Sequence, residues 1–126
     1  MADISMNQFL HAVAAFSQQV SANAEATRGW ALFIETEGDD TGRVAEMIAA
    51  KRVDPDTVSE THELARIMRG LSEQAIQYAA TSDTTVRLAK ASHDEVMNTH
   101  HNIGEQVNAS TASGIHDVSN DWLRVE

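Results

Sequence analysis

"LARIMRGLSEQAIQYAATSDTTVRLAKASHDEVMNTHHNIGEQV", residues 64–107, repeats apolar, small or histidine side chains at alternating steps of four and three residues. The positions are Leu64, Met68, Leu71, Ala75, Tyr78, Ser82, Val86, Ala89, His93, Val96, His100, Ile103 and Val107. This is a heptad stripe with one inserted four-residue step, which locally unwinds a supercoil. The pattern predicts one long helix over about residues 55–112 whose stripe is an interaction surface for other helices.

If the long helix is interrupted, the segment TSDTT, residues 81–85, is the expected place, with the break near residue 82. Asp83 could cap a new helix, and threonine lowers helix propensity. The segment has no glycine or proline to turn the chain, and the stripe keeps its phase across it. We therefore expect a continuous or kinked helix here rather than a tight hairpin.

A second helical pattern precedes the long one, over about residues 4–36, and Asp3 or Ser5 can cap it. Its stripe holds Met6, Phe9, Val13, Phe16, Val20, Ala24, Thr27, Ala31 and Ile34. The fold class predicted by the two patterns is all-α, a helical bundle or hairpin in a single helical domain over residues 1–126.

The run EGDDTG, residues 37–42, carries both stop and start signals for helices. Gly38 can end one helix, and Asp39, Asp40 or Thr41 can cap the next, so we expect the chain to reverse here. A short helix over about residues 42–52 follows. Asp54 before Pro55 then predicts the N-cap of the long helix.

Composition excludes several classes of function. The net charge is -10, and no basic cluster exceeds the pair Lys51-Arg52, which disfavours direct binding of nucleic acids or anionic membranes. The chain has no cysteine, so disulfides and thiolate chemistry are excluded. No apolar run approaches the ~20 residues of a membrane-spanning helix, and the first residues lack the basic region of a secretory signal. We expect a cytoplasmic protein without membrane insertion.

Three of the six histidines, His93, His100 and His101, lie close together within residues 88–107 of the long helix. His93 and His100 occupy the stripe, where they would form polar layers in a helix interface, whereas His101 lies one step round and should face outward. His101 and Glu105 form a single i, i+4 pair, and the chain has no Glu-x-x-His motif for a di-iron bundle. A zinc or nickel site between chains, built from His93, His100 and their symmetry mates, stays an alternative.

No motif for catalysis is present. The sequence lacks nucleotide-binding glycine motifs and the Gly-x-Ser-x-Gly nucleophile elbow. Ser92, His93 and Asp94 are consecutive, so a helix points them ~100° apart and they cannot converge as a triad. We expect no enzyme, no catalytic or metal site and no cofactor.

Aromatic residues mark two further regions. Trp30, beside Leu32 and Phe33, is predicted to cover one end of the core. In the tail, residues 113–126, apolar side chains recur at helical spacing at Ile115, Val118, Trp122 and Leu123. This tail either folds back on the bundle or offers an apolar surface to a protein partner.

The stretch RVAEMIAAKRVDPDTVSETHELARIMRGLSEQAIQYAATSDTTVRLAKASHDEVMNTHHNIGEQV, residues 43–107, resembles a group of small all-helical proteins. These are accessory proteins encoded beside the DNA translocase on actinobacterial conjugative plasmids and integrative elements. The resemblance implies an accessory role in DNA transfer or in maintenance of the element. The leading expectation is a structural or adaptor protein that forms homo-oligomers and binds a protein partner.

The acidic, leaderless chain also resembles the helical-hairpin substrates of type VII secretion. Those substrates carry Trp-x-Gly between two helices and an aromatic-x-x-x-acid signal after the second. Trp30 is followed by Ala31 and Leu32, so the first hallmark is missing, and FIETE, residues 33–37, has the signal spacing at the wrong place. A secretion substrate is therefore one alternative function, and a histidine-based metal-binding protein is another.

Overall fold

The computed structural model describes residues 5–112 and residue 114. Two helices, α1 (Met6–Ala50) and α2 (Pro55–Ala109), pack against each other as an all-α helical hairpin, and the described residues contain no strand. The predicted fold class is thereby confirmed in its hairpin form. The tail residues Ile115, Val118, Trp122 and Leu123 lie outside the described part of the chain.

The chain reverses at residues 51–54, and the prediction of a reversal at residues 37–42 was wrong. Helix α1 continues through that run, so the separate short helix over residues 42–52 does not exist. The helix ends in a Schellman arrangement, in which the amide of Val53 donates to the carbonyl of Ile48 (3.1 Å) and the amide of Arg52 to that of Ala49 (3.0 Å). Arg52 has a φ of 58°, in the left-handed region that glycine usually occupies here.

We expect Arg52→Gly to raise the free energy of unfolding by roughly 0.5–1 kcal/mol. A non-glycine residue costs ~1–2 kcal/mol in the left-handed conformation, and the larger backbone entropy of glycine in the unfolded chain offsets part of the gain. Urea denaturation measures the change. Lys51→Gly, one residue earlier, is the control and should destabilise the protein. Equal effects of the two substitutions would contradict this account of the turn.

Both helices begin at the caps that the sequence predicts. The amide of Gln8 donates to Ser5 Oγ (3.3 Å) and the amide of Ser5 donates to Gln8 Oε1 (3.0 Å), a reciprocal capping box for α1. For α2, Asp54 Oδ2 accepts the Thr57 hydroxyl (2.5 Å) and the Thr57 amide (2.9 Å). These bonds, the hydroxyl first, hold the pKa of the Asp54 carboxyl below its ordinary value of 3.8.

The lowered pKa of Asp54 predicts a contribution to stability that is present above pH 3.8 and is lost as the pH falls through the lower, folded value. Asp54→Asn keeps an oxygen that can cap the helix but does not titrate. We expect its unfolding free energy to fall less than that of the wild type across this acid range. Parallel acid profiles of the two proteins, measured by circular dichroism, would rule out this role of Asp54.

The described residues form two compact units, one of residues 21–83 and one built from residues 5–20 together with residues 84–112. In both, the buried side of α1 repeats every three and four residues without interruption. Its buried and half-buried members are Leu10, Val13, Ser17, Val20, Ala24, Thr27, Ala31, Ile34, Gly38, Thr41, Ala45 and Ile48. The predicted stripe was therefore wrong at Phe9 and Phe16, which are 45% and 56% exposed.

Helix α2 shows the same uninterrupted repeat. The repeat runs through Val58, Thr61, Ala65, Met68, Ser72, Ala75, Ala79, Ser82, Val86, Ala89, His93, Val96, His100, Gly104 and Val107, each of them buried or half-buried. We call these positions of both helices the seam. The predicted stripe matches the seam of α2 from Ser82 to His100. Before Ser82 the prediction differs from the seam by one residue at three positions: the stripe names Leu64, Leu71 and Tyr78, whereas the seam holds Ala65, Ser72 and Ala79.

In the unit of residues 21–83 the helices approach closely because the seam side chains are small. The Ser72 hydroxyl donates to the Ala31 carbonyl across the pair (2.8 Å). A Cβ atom added at Gly38 would lie 3.3 Å from the Met68 Cβ and 3.5 Å from the Ala65 carbonyl oxygen. Gly38 is thus a buried contact point within α1 and does not end the helix.

Helix α2 runs without a break through residues 81–85, as predicted. The hydroxyl of Thr81 donates to the carbonyl of Gln77 (3.1 Å), and that of Ser82 to the carbonyl of Tyr78 (3.0 Å). These bonds run back one turn along the same helix. The hydroxyls therefore bond within the helix and do not interrupt it.

Candidate functional site

Although Ile34, Ile48, Val58 and Met68 are half-buried within the seam, most large apolar side chains of the unit of residues 21–83 lie outside it. Eight of them, each between 48% and 65% exposed, define what we call the apolar face: Trp30, Phe33, Val44, Met47, Leu64, Ile67, Leu71 and Tyr78. Apolar patches of this kind on protein surfaces are typical of interaction sites. The apolar face is therefore the candidate functional site of this unit.

Helix geometry places these eight residues on one side of the hairpin. Within residues 21–83, one set of seam positions recurs every seven residues and holds only small residues or valine. Five of the eight residues come one residue before a position of this set: Trp30, Val44, Leu64, Leu71 and Tyr78. The other three come two residues after such a position, on the same flank of the helix. In an antiparallel pair, the corresponding flanks of the two helices meet on one side, so the face contains residues of both α1 and α2.

The opposite side of the same unit is charged. Arg28 forms ion pairs with Glu25 (2.6 Å) on its own helix and with Asp83 across the pair. Arg69 Nε lies 3.1 Å from Asp39 Oδ1, also across the pair. We call this side the charged face, and its ionisable residues are Glu25, Arg28, Glu35, Asp39, Glu46, Arg66, Arg69, Glu73 and Asp83.

Few charges interrupt the apolar face. Trp30 and Phe33 stand edge to face, with ring centroids 6.0 Å apart. The acidic residues at face positions are Glu37 and Asp40 on α1 and Glu60 on α2. Asp40 is bonded to Arg43 (2.5 Å), which reduces the local negative charge. The strip of α2 from Leu64 to Tyr78 has no charge at its face positions.

The exposed area of the apolar face can be compared with known surfaces. An aromatic side chain offers ~150–250 Å², an aliphatic one on the order of 100 Å², and about half of each is exposed, so the face presents roughly 700 Å². The largest apolar patch of a typical monomer is ~300–600 Å², and a stable protein interface buries ~800 Å² per partner. The face has the size of an interaction surface.

The structure divides the predicted stripe of α2 between two places. Leu64, Leu71 and Tyr78 belong to the apolar face, and Ile103 is 36% exposed in the other unit. The remaining members lie in the seam: Met68, Ala75, Ser82, Val86, Ala89, His93, Val96, His100 and Val107. We expected Trp30 to cover one end of the core, and this was wrong. Trp30 is 65% exposed and lies on the apolar face.

The histidines lie in the unit that contains residues 84–112. His100 is buried, and the half-buried His93 has its Nδ1 3.3 Å from Asp94 Oδ1. His101 points outward as predicted, with Nε2 3.3 Å from Glu105 Oε1. Within residues 5–112, no three histidine or acidic side chains group into a possible metal site. The inter-chain metal site stays a prediction.

The same unit has a shallow groove of about 250 Å³. Its lining residues are Val13, Ala14, Ser17, Val86, Lys90, His93 and Asp94. Its ionisable groups are Lys90, His93 and Asp94, of which His93 and Asp94 are consecutive on one helix and partner each other. The Ser17 hydroxyl donates to the Val13 carbonyl (2.9 Å). This arrangement lacks a nucleophile held by a base, which acyl or phosphoryl transfer would need.

Comparison of the chain with protein families, with curated proteins and with solved structures finds no match. Neither described helix combines the length and the apolar character needed to cross a membrane.

Proposed function

We propose that this chain is a non-enzymatic structural or adaptor protein that acts by self-association and by binding a protein partner. The observation that supports the proposal is the distribution of side-chain size. In the unit of residues 21–83 the buried seam positions are all alanine, serine or glycine, and eight large apolar residues lie about half exposed on the apolar face. A side chain that is half exposed gains free energy when a second protein surface covers it.

Sedimentation equilibrium over a range of micromolar concentrations tests self-association. The expected result is a mass at least twice the 13.7 kDa of the chain, falling toward that value on dilution. A single species of 13.7 kDa at every concentration would overturn the proposal of self-association.

The biological setting that we propose is an accessory role on a conjugative element, following the resemblance of residues 43–107. Deleting the coding region from an element that carries it should lower the frequency of transfer or the retention of the element. Restoring the wild-type chain should restore both. A variant that cannot self-associate should not restore them, if association is the basis of the role.

A second candidate function is that of a type VII secretion substrate, and the helical hairpin favours it, since that class is built from two helices. The hairpin's turn lacks Trp-x-Gly, because residues 51–54 are Lys-Arg-Val-Asp. However, Trp122 and Glu126 have the aromatic-x-x-x-acid spacing in the stretch that follows α2, a match that the sequence analysis missed. These two residues lie outside the described part of the chain.

Secretion can be tested in a host that has a type VII system. If this function is right, the chain accumulates in the culture supernatant while a cytosolic marker does not. Replacing both Trp122 and Glu126 with alanine should abolish the export. Retention of the wild-type chain in the cells would exclude this second function and leave the first intact.

A further inference from the structure

The part of the apolar face that belongs to α2 is nearly symmetric about Leu71. Leu64 and Tyr78 lie seven residues before and after it, and Ile67 and Gln74 lie four before and three after. A two-fold contact requires a surface that is complementary to itself when turned around. This strip meets that requirement, because an antiparallel copy centred on Leu71 brings Leu64 of each chain against Tyr78 of the other.

The acidic residues of the face are compatible with the same axis. The bond between Ser72 and Ala31 places the neighbourhood of Ala31 level with Leu71. A two-fold axis at this level places Glu37 of one copy opposite Ala26 of the other, and Asp40 opposite Asn23. No acidic residue of α1 on the face then lies opposite another acidic residue. Glu37 and its symmetry mate are then separated by about 11 residues of rise, or ~17 Å, which is beyond the ~8 Å screening length at physiological salt.

The charged face does not offer such a contact. Its exposed apolar residues are Leu32 and Ile76, and ion pairs of Arg28 and Arg69 flank them. Burying these charges against the charged face of a second copy would cost more free energy of desolvation than burial of the two apolar side chains would gain. The ~700 Å² of the apolar face, by contrast, approaches the ~800 Å² that each partner buries in a stable interface.

We infer that the occupant of the apolar face is the same face of a second copy of this chain, with the two hairpins antiparallel and Leu71 next to the two-fold axis. The product is a four-helix arrangement in which α2 packs on α2 of the other copy. The inference rests on the proposed self-association and adds to it the face, the symmetry and the central residue.

A single introduced cysteine tests this geometry, because the chain has no cysteine of its own. Leu71→Cys places a thiol next to the proposed axis. Glu73→Cys is the matched control, an exposed position two residues away on the charged face. A disulfide forms only when the two Cα atoms come within ~4.4–6.8 Å of each other. Both variants are oxidised mildly at the same concentration and separated on a non-reducing gel.

The expected result is that most of Leu71→Cys becomes a covalent dimer while Glu73→Cys stays largely unlinked. Circular dichroism before oxidation shows that both variants keep the wild-type helix content. Equal linking of the two variants, or linking of Glu73→Cys alone, overturns the inferred contact. If the wild type sediments as an oligomer but Leu71→Cys does not link, this geometry fails while the proposed function stands. If the wild type is a monomer, both fail.

Discussion

Gly38→Leu is expected to lower the free energy of unfolding by about 3 kcal/mol, the upper end of the ~1–3 kcal/mol that overpacking costs in a well-packed core. Even a single Cβ at this position would lie 3.3 Å from the Met68 Cβ and 3.5 Å from the Ala65 carbonyl oxygen. One of these neighbours is backbone, so the leucine cannot be accommodated by moving a flexible side chain. The two helices must separate around the substitution, which removes seam contacts.

Gly29→Leu is the matched control for this substitution. Gly29 lies in the same helix, and a Cβ added there meets no atom within 4 Å. Leucine has a better helix propensity than glycine by ~0.8 kcal/mol, so Gly29→Leu should stabilise the protein slightly. Urea denaturation of both variants gives the comparison. A Gly38→Leu protein as stable as Gly29→Leu would show that the helices do not approach closely at this point.

The double substitution Trp30→Lys with Leu71→Lys is expected to convert the oligomer into a monomer at micromolar concentrations. It places two positive charges on the apolar face, one on each helix, and desolvating an unpaired charge in an interface costs several kcal/mol. Both side chains are more than half exposed in the hairpin, so the fold of the single chain does not depend on them. Helix content should therefore persist while the sedimenting mass falls to 13.7 kDa.

Leu32→Lys with Ile76→Lys is the control for the double variant. Leu32 and Ile76 are 61% and 47% exposed, close to the values of Trp30 and Leu71, but they lie on the charged face. The control makes the same change in net charge and in apolar content. We expect it to keep the wild-type mass. Loss of the oligomer in both variants would point to a general effect of charge and away from the apolar face.

The helical class and the start of each helix were predictable from the sequence because they depend on local chemistry. A helix N-terminus leaves free amides that nearby side chains must satisfy, and Ser5 and Asp54 do so in the structure. The continuity of α2 through residues 81–85 was predictable for the same reason, since no residue there forces a turn.

The choice of buried residues was less predictable. Between Leu64 and Tyr78 the largest apolar residue and the buried residue differ by one position, as in Leu71 and Ser72. Sequence analysis assigns the larger residue to the core because burying it gains more free energy. A closely spaced helix pair excludes it, and this spacing is a property of both helices together. From Val86 to His100 the predicted stripe and the seam coincide, although the exposed Leu88 lies one position before Ala89.

Gly38 shows the same ambiguity in another form. Glycine ends helices often, and the acidic residues after it resemble a cap, so a reversal was the expected local outcome. Its role depends instead on Ala65 and Met68, which lie 27 and 30 positions later in the sequence. The actual turn, by contrast, uses Arg52, which carries no glycine-like signal.

Because the side chains of the seam are small, the stability of the fold should depend on the protein concentration. Among residues 5–112 the buried apolar residues are five alanines and Leu10, and no large side chain there is fully buried. Alanine returns little free energy on burial, whereas each ordered residue costs ~1–2 kcal/mol of backbone entropy. With the proposed self-association, folding draws part of its free energy by mass action from the encounter of two chains, and the melting temperature is expected to rise with concentration. Chains made without a second copy nearby would remain exposed to proteolysis, so the cellular level of this protein would be limited by its own association.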